Sequence, residues 1–273
     1  MKILIIGAGK MGQAILSSWL SKKFNFKISI TVVEIDYKKI KSLKLRFPKV
    51  SISNEIPMKW KGNLILISIK PQAFLNISKN FNEKAISTNI LISIMAGIKL
   101  DKLQKYININ TMYIRAMPNL ASLIGKGVTG MFSKKSINKK NKVIIEDLFL
   151  SLGKVYWLKS EKLFDPLTAI SGSGPAYYFL FFLTMINAAK KFGFSNRVSK
   201  EIVLNTAEGA IEVFKDKGNL EKLILDVASP GGTTEAALKI LSKGKPNLIT
   251  ILNKAILEAN DRSKNLGENA TKV

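Results

Sequence analysis

Short apolar runs alternate with amphipathic stretches along the first half of the chain. The runs have the length and β-branched composition of buried strands, whereas the stretches between them carry apolar residues at helical spacing. The predicted strands are residues 2–6, 28–34, 64–69, 89–94, 111–115, 128–132 and 155–158. The predicted helices are residues 11–21, 37–47, 71–80, 100–106 and 138–151. This alternation indicates a mainly parallel sheet with crossover helices.

From about residue 160 onward the strand-like runs stop and only long amphipathic patterns remain. The predicted helices here are residues 175–192, 199–217, 220–227, 233–242 and 248–264. The first is apolar on nearly all sides between Tyr177 and Leu183, which predicts burial within one subunit or against a second one. We therefore predict an α/β domain over residues 1–159 and an all-α domain over residues 160–273.

The composition limits the available chemistry. The chain has no Cys and no His, which excludes disulfides and thiolate nucleophiles and removes the preferred ligands of transition metals. We expect no metal centre. Any reaction must use hydroxyls, amines, carboxylates, backbone groups or a cofactor.

The net charge of +24 is typical of nucleic-acid-binding proteins. However, only four of the 43 basic residues are Arg, and the Lys residues are scattered along the chain. Base readout and bidentate phosphate contacts favour Arg, so we expect no nucleic-acid partner. The apolar runs that end at Gly7 and span residues 177–186 are too short to cross a bilayer. We therefore expect no membrane association and a cytoplasmic location.

A glycine-rich motif, GAGKMG at residues 7–12, follows the first predicted strand directly and precedes a predicted helix. In that setting Gly7 permits a tight turn, Gly9 lets a pyrophosphate approach the backbone, and Gly12 lets the helix pack on the sheet. The motif predicts binding of a nicotinamide dinucleotide at the start of the helix.

The second predicted strand ends at Glu34, about twenty residues beyond the glycines. A carboxylate at this position accepts hydrogen bonds from the adenosine ribose and repels the 2′-phosphate of NADPH. Glu34 therefore favours NADH, although Lys38 and Lys39 lie close enough to offset the repulsion, and a solvated strand-end carboxylate is the alternative. Later strands end near Ile69-Lys70-Pro71 and Ala96, at the edge where ligands of parallel sheets bind.

Three further motifs occur in order, RAMPN at residues 115–119, AISGSGPAY at 169–177 and ASPGGTT at 228–234. With the glycine motif, this series resembles the pyrroline-5-carboxylate reductase family over essentially the whole chain. The resemblance implies an N-terminal Rossmann domain and an all-α C-terminal domain that makes a homodimer or larger homo-oligomer. It also implies hydride transfer from NADH or NADPH to the C=N of 1-pyrroline-5-carboxylate, giving L-proline.

The resemblance also implies the site residues. The implied cofactor contacts are Gly9, Lys10, Met11, Asn54, Ile69, Lys70, Pro71 and Ala96, with Met117 and Asn119 near the nicotinamide. The implied substrate contacts are Ser229, Gly231, Gly232, Thr233 and Thr234. The Thr234 hydroxyl is the catalytic candidate, since it would face the ring nitrogen of the imine.

The residue types of the substrate loop make chemical sense of this assignment. Residues 230–232 are poor in side chains, so a ligand can approach the backbone, and Thr233 opens a helix whose free amides suit a carboxylate. A simple helix cap by Ser229 or Thr233 is the structural alternative. The chain departs from the family pattern at Lys217, Asn219 and Leu225, which leaves the loop intact and puts contacts around it in doubt.

Two other functions fit parts of the sequence. Reductases of the 3-hydroxyacid dehydrogenase type also join a Rossmann domain to a helical domain, and they depend on a catalytic Lys. A non-catalytic nucleotide sensor would use the glycine motif and the positive surface without turning over an imine.

Overall fold

The computed structural model describes residues 1–269, apart from the side chains of Asn82 and Asn269. The strands are β1 Lys2–Ile6, β2 Ser29–Val33, β3 Ser51–Ser53, β4 Lys61–Ile67, β5 Ser87–Ser93, β6 Met112–Met117, β7 Gly127–Phe132 and β8 Gly153–Trp157. They form one sheet in the order β3-β2-β1-β4-β5-β6-β7-β8. All neighbours pair in parallel except β6 and β7. This topology confirms the predicted Rossmann domain.

Helices cover both faces of the sheet. They are α1 Lys10–Ser21, α2 Tyr37–Arg46, α3 Phe74–Glu83, α4 Leu100–Tyr106 and α5 Lys139–Leu150. Trp19 of α1 and Phe149 of α5 belong to one buried cluster, whereas Phe74 of α3 and Leu103 of α4 belong to a second. The central strands contribute to both clusters, which explains why they read as continuous apolar runs in the sequence.

The remaining helices follow β8. They are α6 Phe164–Leu167, α7 Gly174–Lys191, α8 Asn196–Lys217, α9 Leu220–Val227, α10 Thr233–Lys243 and α11 Leu248–Asn269. The all-α second half is thereby confirmed. A π-helical turn, Thr168–Gly172, joins α6 to α7.

Packing divides the chain into two compact units, and the division differs from the predicted boundary at residue 160. The sheet unit comprises residues Met1–Gly172 and the end of α11 from Ala259 onward, and the helical unit comprises Ser173–Glu258. One contact of the end of α11 within the sheet unit is the hydrogen bond from Ser263 Oγ to the buried Asp165 carboxylate at 2.7 Å.

The helical unit buries little of its apolar surface within one chain. Its buried residues are Gly174, Ser199 and Val203, whereas large side chains such as Phe179 and Leu180 of α7 are more than half exposed. An apolar surface of this extent marks an interface with another molecule.

The apolar stretch at residues 177–186 belongs to a longer helical run than the sequence suggested. Among the described residues, the run Glu161–Lys191 is long and apolar enough to cross a membrane, judged by length and composition alone. Within its most apolar stretch of 18 residues, 11% of the residues are buried. The prediction that this stretch is too short to cross a bilayer was therefore wrong, because α6 and the π-helical turn extend α7 toward the N-terminus.

Candidate functional site

The loop between β1 and α1 is built around its first and last glycines. Gly7 has φ +91°, and a Cβ there would lie 2.7 Å from Ile69 Cγ2. A Cβ on Gly12 would lie 2.5 Å from the Gly7 carbonyl oxygen, which also accepts a hydrogen bond from Ser68 Oγ at 2.6 Å. Both glycines are therefore required by close backbone packing.

Gly9 differs from the other two glycines because no protein atom lies within 4 Å of the position its Cβ would occupy. It is the N-cap of α1, and no side chain caps the helix there. The first amides of α1 thus face an open cradle, and this arrangement fits a dinucleotide pyrophosphate. Lys10 is exposed and Met11 is half-buried beside the cradle.

Glu34 lies immediately after β2 and is buried. Its Oε2 accepts a hydrogen bond from the Ala8 amide at 3.0 Å, and its Oε1 accepts one from the Asp36 amide at 3.1 Å. The carboxylate therefore tethers the glycine loop to β2, a role that the sequence did not reveal. Carboxylate oxygens have further lone pairs, so Glu34 can still accept hydrogen bonds from a ribose.

The other predicted cofactor contacts of the sheet unit follow the carboxyl ends of neighbouring strands. Asn54 is exposed just after β3, Lys70 is exposed after β4, and Pro71 opens a 3₁₀ turn that leads into α3. Ile69 and Ala96 are half-buried beyond β4 and β5. Because β3, β2, β1, β4 and β5 are parallel neighbours, these residues and the glycine loop share one edge of the sheet.

Asn119, which follows β6, is buried, and both ends of its side-chain amide are occupied. Its Nδ2 donates to the Ser171 carbonyl at 3.0 Å, and its Oδ1 accepts from the Val128 amide at 3.0 Å. Asn119 therefore joins β7 to the π-helical turn. Met117 is half-buried close to Gly172, and its apolar side chain is not held by hydrogen bonds of this kind.

A buried ion pair lies behind this edge. Arg115 of β6 is 2% exposed, pairs with Glu161 Oε1 at 3.3 Å, and has its guanidinium 4.3 Å from the centre of the Phe164 ring. Burial lowers the pKa of Arg115, and the carboxylates of Glu161 and Asp165 oppose that effect. Two acidic residues outside the predicted motifs thus compensate the buried charge.

The substrate loop of the helical unit is a tight turn that leads into α10. Gly231 has φ +72°, and the Gly232 amide donates to the Ser229 carbonyl at 3.0 Å. Gly232 is the N-cap of α10, and no side chain caps this helix. Neither Ser229 nor Thr233 therefore fills the capping role that was the structural alternative.

The side chains around this turn define two open cavities of about 410 Å³ each. Gly231, Gly232 and Glu235 line the first cavity together with Lys239 and Lys243. The Glu235 carboxylate also accepts a hydrogen bond from the Gly231 amide at 2.6 Å. The sequence analysis did not predict this contact.

Thr234 is half-buried and lines the second cavity, which is apolar and includes Phe214, Leu223 and Leu238. Thr233 is exposed. Thr234 therefore presents a hydroxyl at the edge of an apolar surface, while the helix amides start beside it.

The three residues that depart from the family pattern are an ion-pair partner, a helix cap and an exposed side chain. Lys217 pairs with Asp216 at 3.0 Å, and Asn219 caps α9 by accepting a hydrogen bond from the Lys222 amide at 2.8 Å. Leu225 is 72% exposed on α9. Across the part of the chain that is described, no group of three or more Asp, Glu, His or Cys side chains could hold a metal ion.

Comparisons with known proteins agree with these features. Residues 161–266 match the family model for pyrroline-5-carboxylate reductase dimerisation, and residues 2–97 match that for coenzyme F420-dependent NADP oxidoreductases. The first match includes most of the exposed apolar helix surface, so the helical unit belongs to a dimerisation domain of this kind.

Relatives align over nearly the whole chain. Pyrroline-5-carboxylate reductase 2 of Bacillus subtilis is 32% identical, with 89% of this chain and 88% of the relative covered. The crystal structure of the Streptococcus pyogenes reductase has a TM-score of 0.86 at 27% identity, and covers 97% of this chain and 98% of its own.

The Plasmodium falciparum reductase, solved with NADP bound, has a TM-score of 0.80 at 27% identity, and 98% of each chain is covered. The level of identity to the Bacillus protein, with near-complete coverage, is sufficient to assign the family. This chain belongs to the pyrroline-5-carboxylate reductase family.

Proposed function

We propose that this protein reduces the C=N bond of 1-pyrroline-5-carboxylate to give L-proline, with NADH or NADPH as the reductant. The observation that carries the proposal is the start of α10. Its amides follow a turn of small residues, and no side chain caps them. In a chain of this family, such a helix start is suited to the carboxylate of a cyclic imino acid.

The sheet unit supplies the cofactor site. The amides at Gly9 and Lys10 would bind the pyrophosphate, and Glu34 would accept hydrogen bonds from the adenosine ribose. Ala96 and Met117 would flank the nicotinamide. The bound reduced dinucleotide supplies hydride. The tether from Glu34 to Ala8 keeps the loop in place before the dinucleotide arrives.

Of the two cofactors, we propose that NADH is preferred. The Glu34 carboxylate lies where a 2′-phosphate would come, and like charges at short range disfavour binding. Of the two nearby Lys residues, Lys39 pairs with the Asp36 carboxylate at 3.7 Å, which leaves less of their positive charge to offset the repulsion. The related Plasmodium falciparum reductase was solved with NADP bound, so a preference for NADH would come from residues particular to this chain.

In the helical unit, Ser229, Gly231, Gly232, Thr233 and Thr234 would form the substrate loop. The backbone amides of Thr233 and Thr234 would bind the carboxylate, and the Thr234 hydroxyl would hydrogen-bond to the ring nitrogen and fix its position. The neighbouring apolar wall with Phe214 and Leu223 suits the methylene groups of a pyrroline ring.

The absence of His and Cys is compatible with this reaction. An imine nitrogen is far more basic than a carbonyl oxygen, so the substrate can bind already protonated, and no strong general acid is needed. Orientation by Thr234 and the loop amides is then the main task of the protein.

We further propose a homodimer or larger homo-oligomer as the active form, acting in the cytoplasm, with no nucleic-acid or membrane partner. The apolar helices that pass the length test for a membrane span would be covered by the second subunit.

The direct assay uses purified protein, 1-pyrroline-5-carboxylate, and NADH or NADPH in turn, with the loss of cofactor absorbance as the readout. Turnover with the imine, and none with NAD and a 3-hydroxyacid, is the expected result. Oxidation of the hydroxyacid would support the dehydrogenase alternative, and cofactor binding without turnover would support a sensor.

A further inference from the structure

The end of α11 crosses the loop after β5 at two glycines that are 170 residues apart. A Cβ on Gly97 would lie 2.5 Å from the Gly267 nitrogen, and a Cβ on Gly267 would lie 2.1 Å from the Gly97 carbonyl oxygen. Both glycines are buried. The two backbones are therefore in direct contact, and neither position leaves room for a side chain.

Backbone conformation does not explain why residue 267 is a glycine. Gly97 has φ +74°, a conformation that favours glycine, whereas Gly267 lies within α11 and is not among the positive-φ residues. A glycine in a helix costs about 0.5–1 kcal/mol relative to alanine. Its presence is explained by the close approach to Gly97.

Two polar contacts hold the same segment in place. Ser263 Oγ donates to the buried Asp165 carboxylate at 2.7 Å, and Lys102 Nζ donates to the Gly267 carbonyl at 3.2 Å. Lys102 belongs to α4, the helix that follows the crossed loop. The segment is thus hydrogen-bonded to the rest of the sheet unit at Ser263, four residues before the crossing, and at Gly267, the crossing itself.

We propose that this segment of α11 is a positioning brace for the loop of Ala96 and Gly97, and that it sets the affinity for the dinucleotide. The inference rests on the proposed function, in which Ala96 contacts the nicotinamide. Ala96 precedes the braced glycine directly, so a shift of the crossing displaces the Ala96 backbone. The segment from Ser263 to Gly267 follows the helical unit along the chain and packs within the sheet unit.

The test is Gly267→Ala in the full-length protein, with dinucleotide binding measured by fluorescence titration and KM and kcat measured separately. We expect the Kd and KM for the dinucleotide to rise about ten-fold, which corresponds to about 1.4 kcal/mol. We expect the KM for 1-pyrroline-5-carboxylate at saturating dinucleotide to change less than two-fold. Asn265→Ala, at an exposed position of the same helix, is the control and should bind the dinucleotide as the unsubstituted protein does.

Ser263→Ala provides a second variant, in case Gly267→Ala does not fold, and should weaken dinucleotide binding in the same direction. Hydrogen exchange gives an independent readout, because binding and bracing are reciprocal. Saturating dinucleotide should slow amide exchange in residues 263–267. Unchanged dinucleotide affinity in folded Gly267→Ala, or in Ser263→Ala if the former does not fold, would overturn the brace. If the unsubstituted protein bound no dinucleotide, the proposed function itself would fail.

Discussion

The Glu34 carboxylate accepts the Ala8 amide at 3.0 Å, so the end of β2 is hydrogen-bonded to the glycine loop 26 residues earlier in the chain. One side chain therefore contributes to two properties. It stabilises the loop that would bind the pyrophosphate, and in the proposed site it would place a negative charge where the two nicotinamide cofactors differ.

Replacing Glu34 by Gln separates these two properties. The Gln side-chain oxygen can still accept the Ala8 amide, whereas its NH2 group cannot accept the Asp36 amide, and the charge that disfavours a 2′-phosphate is lost. We expect the ratio of kcat/KM for NADPH to that for NADH to rise about ten-fold, the effect of about 1.4 kcal/mol of repulsion. Glu83→Gln, an exposed carboxylate of α3, should leave the ratio unchanged. An unchanged ratio in Glu34→Gln would show that the carboxylate does not select the cofactor.

The glycine loop allows binding to be separated from stability. Gly9→Ala places a methyl group in open space, so Tm should stay within about 2 °C while dinucleotide affinity falls at least about ten-fold. Gly12→Ala forces a methyl group against the Gly7 carbonyl oxygen, so Tm should fall by at least about 4 °C. Calorimetry and fluorescence titration measure the two effects. Normal affinity in Gly9→Ala would exclude the cradle as the pyrophosphate site.

Thr234→Ala tests the hydroxyl proposed to orient the imine. Loss of one polar contact to the reacting group should lower kcat by about 10- to 1,000-fold. Thr234→Ser keeps the hydroxyl and should recover most of the activity. Steady-state kinetics in which Thr234→Ala equals the unsubstituted enzyme would remove Thr234 from the mechanism.

Tyr113 should make stability depend on pH in the alkaline range. Burial raises the pKa of Tyr113, and its hydrogen bond with the Ile109 backbone opposes this rise. A raised folded-state pKa means that the stabilisation is complete below the unfolded pKa of about 10 and is lost as pH rises through the folded value. Urea unfolding from pH 8 to 11 should therefore show a smaller loss of stability in Tyr113→Phe.

The same variant should also be less stable at neutral pH. The single hydroxyl proton of Tyr113 lies within reach of the carbonyls of Ile107 and Ile109, and the loss of a hydrogen bond of this kind costs about 1 kcal/mol. If stability fell equally from pH 8 to 11 in Tyr113→Phe and in the unsubstituted protein, Tyr113 would not be the source of the alkaline pH dependence.

The periodicity of the sequence was enough to predict most of the sheet. β1 and the central strands are buried on both faces, so their apolar runs are long and local in sequence. β3 was missed because Ser51–Ser53 is a three-residue edge strand with one apolar residue, and its pairing with β2 is not encoded locally. The glycine motif was recognisable because its spacing is fixed by the turn it makes.

Contacts between residues far apart in the chain could not be predicted from the sequence. The crossing of Gly97 and Gly267, and the hydrogen bond from Ser263 to Asp165, depend on the path of the whole chain. The sequence predicted where α10 begins, but not that Glu235 would bind the Gly231 amide. The first two contacts form only after distant elements have packed, whereas the Glu235 contact is local to the start of α10.

The central claim is that amides at the start of α10 bind the substrate carboxylate. A crystal structure of the oligomer with oxidised dinucleotide and proline measures this directly. We predict a proline carboxylate oxygen about 3 Å from the backbone nitrogen of Thr233 or Thr234, with the Thr234 hydroxyl facing the ring nitrogen. A proline carboxylate bound elsewhere, with these amides turned away from it or covered by the Glu235 side chain, would contradict the account.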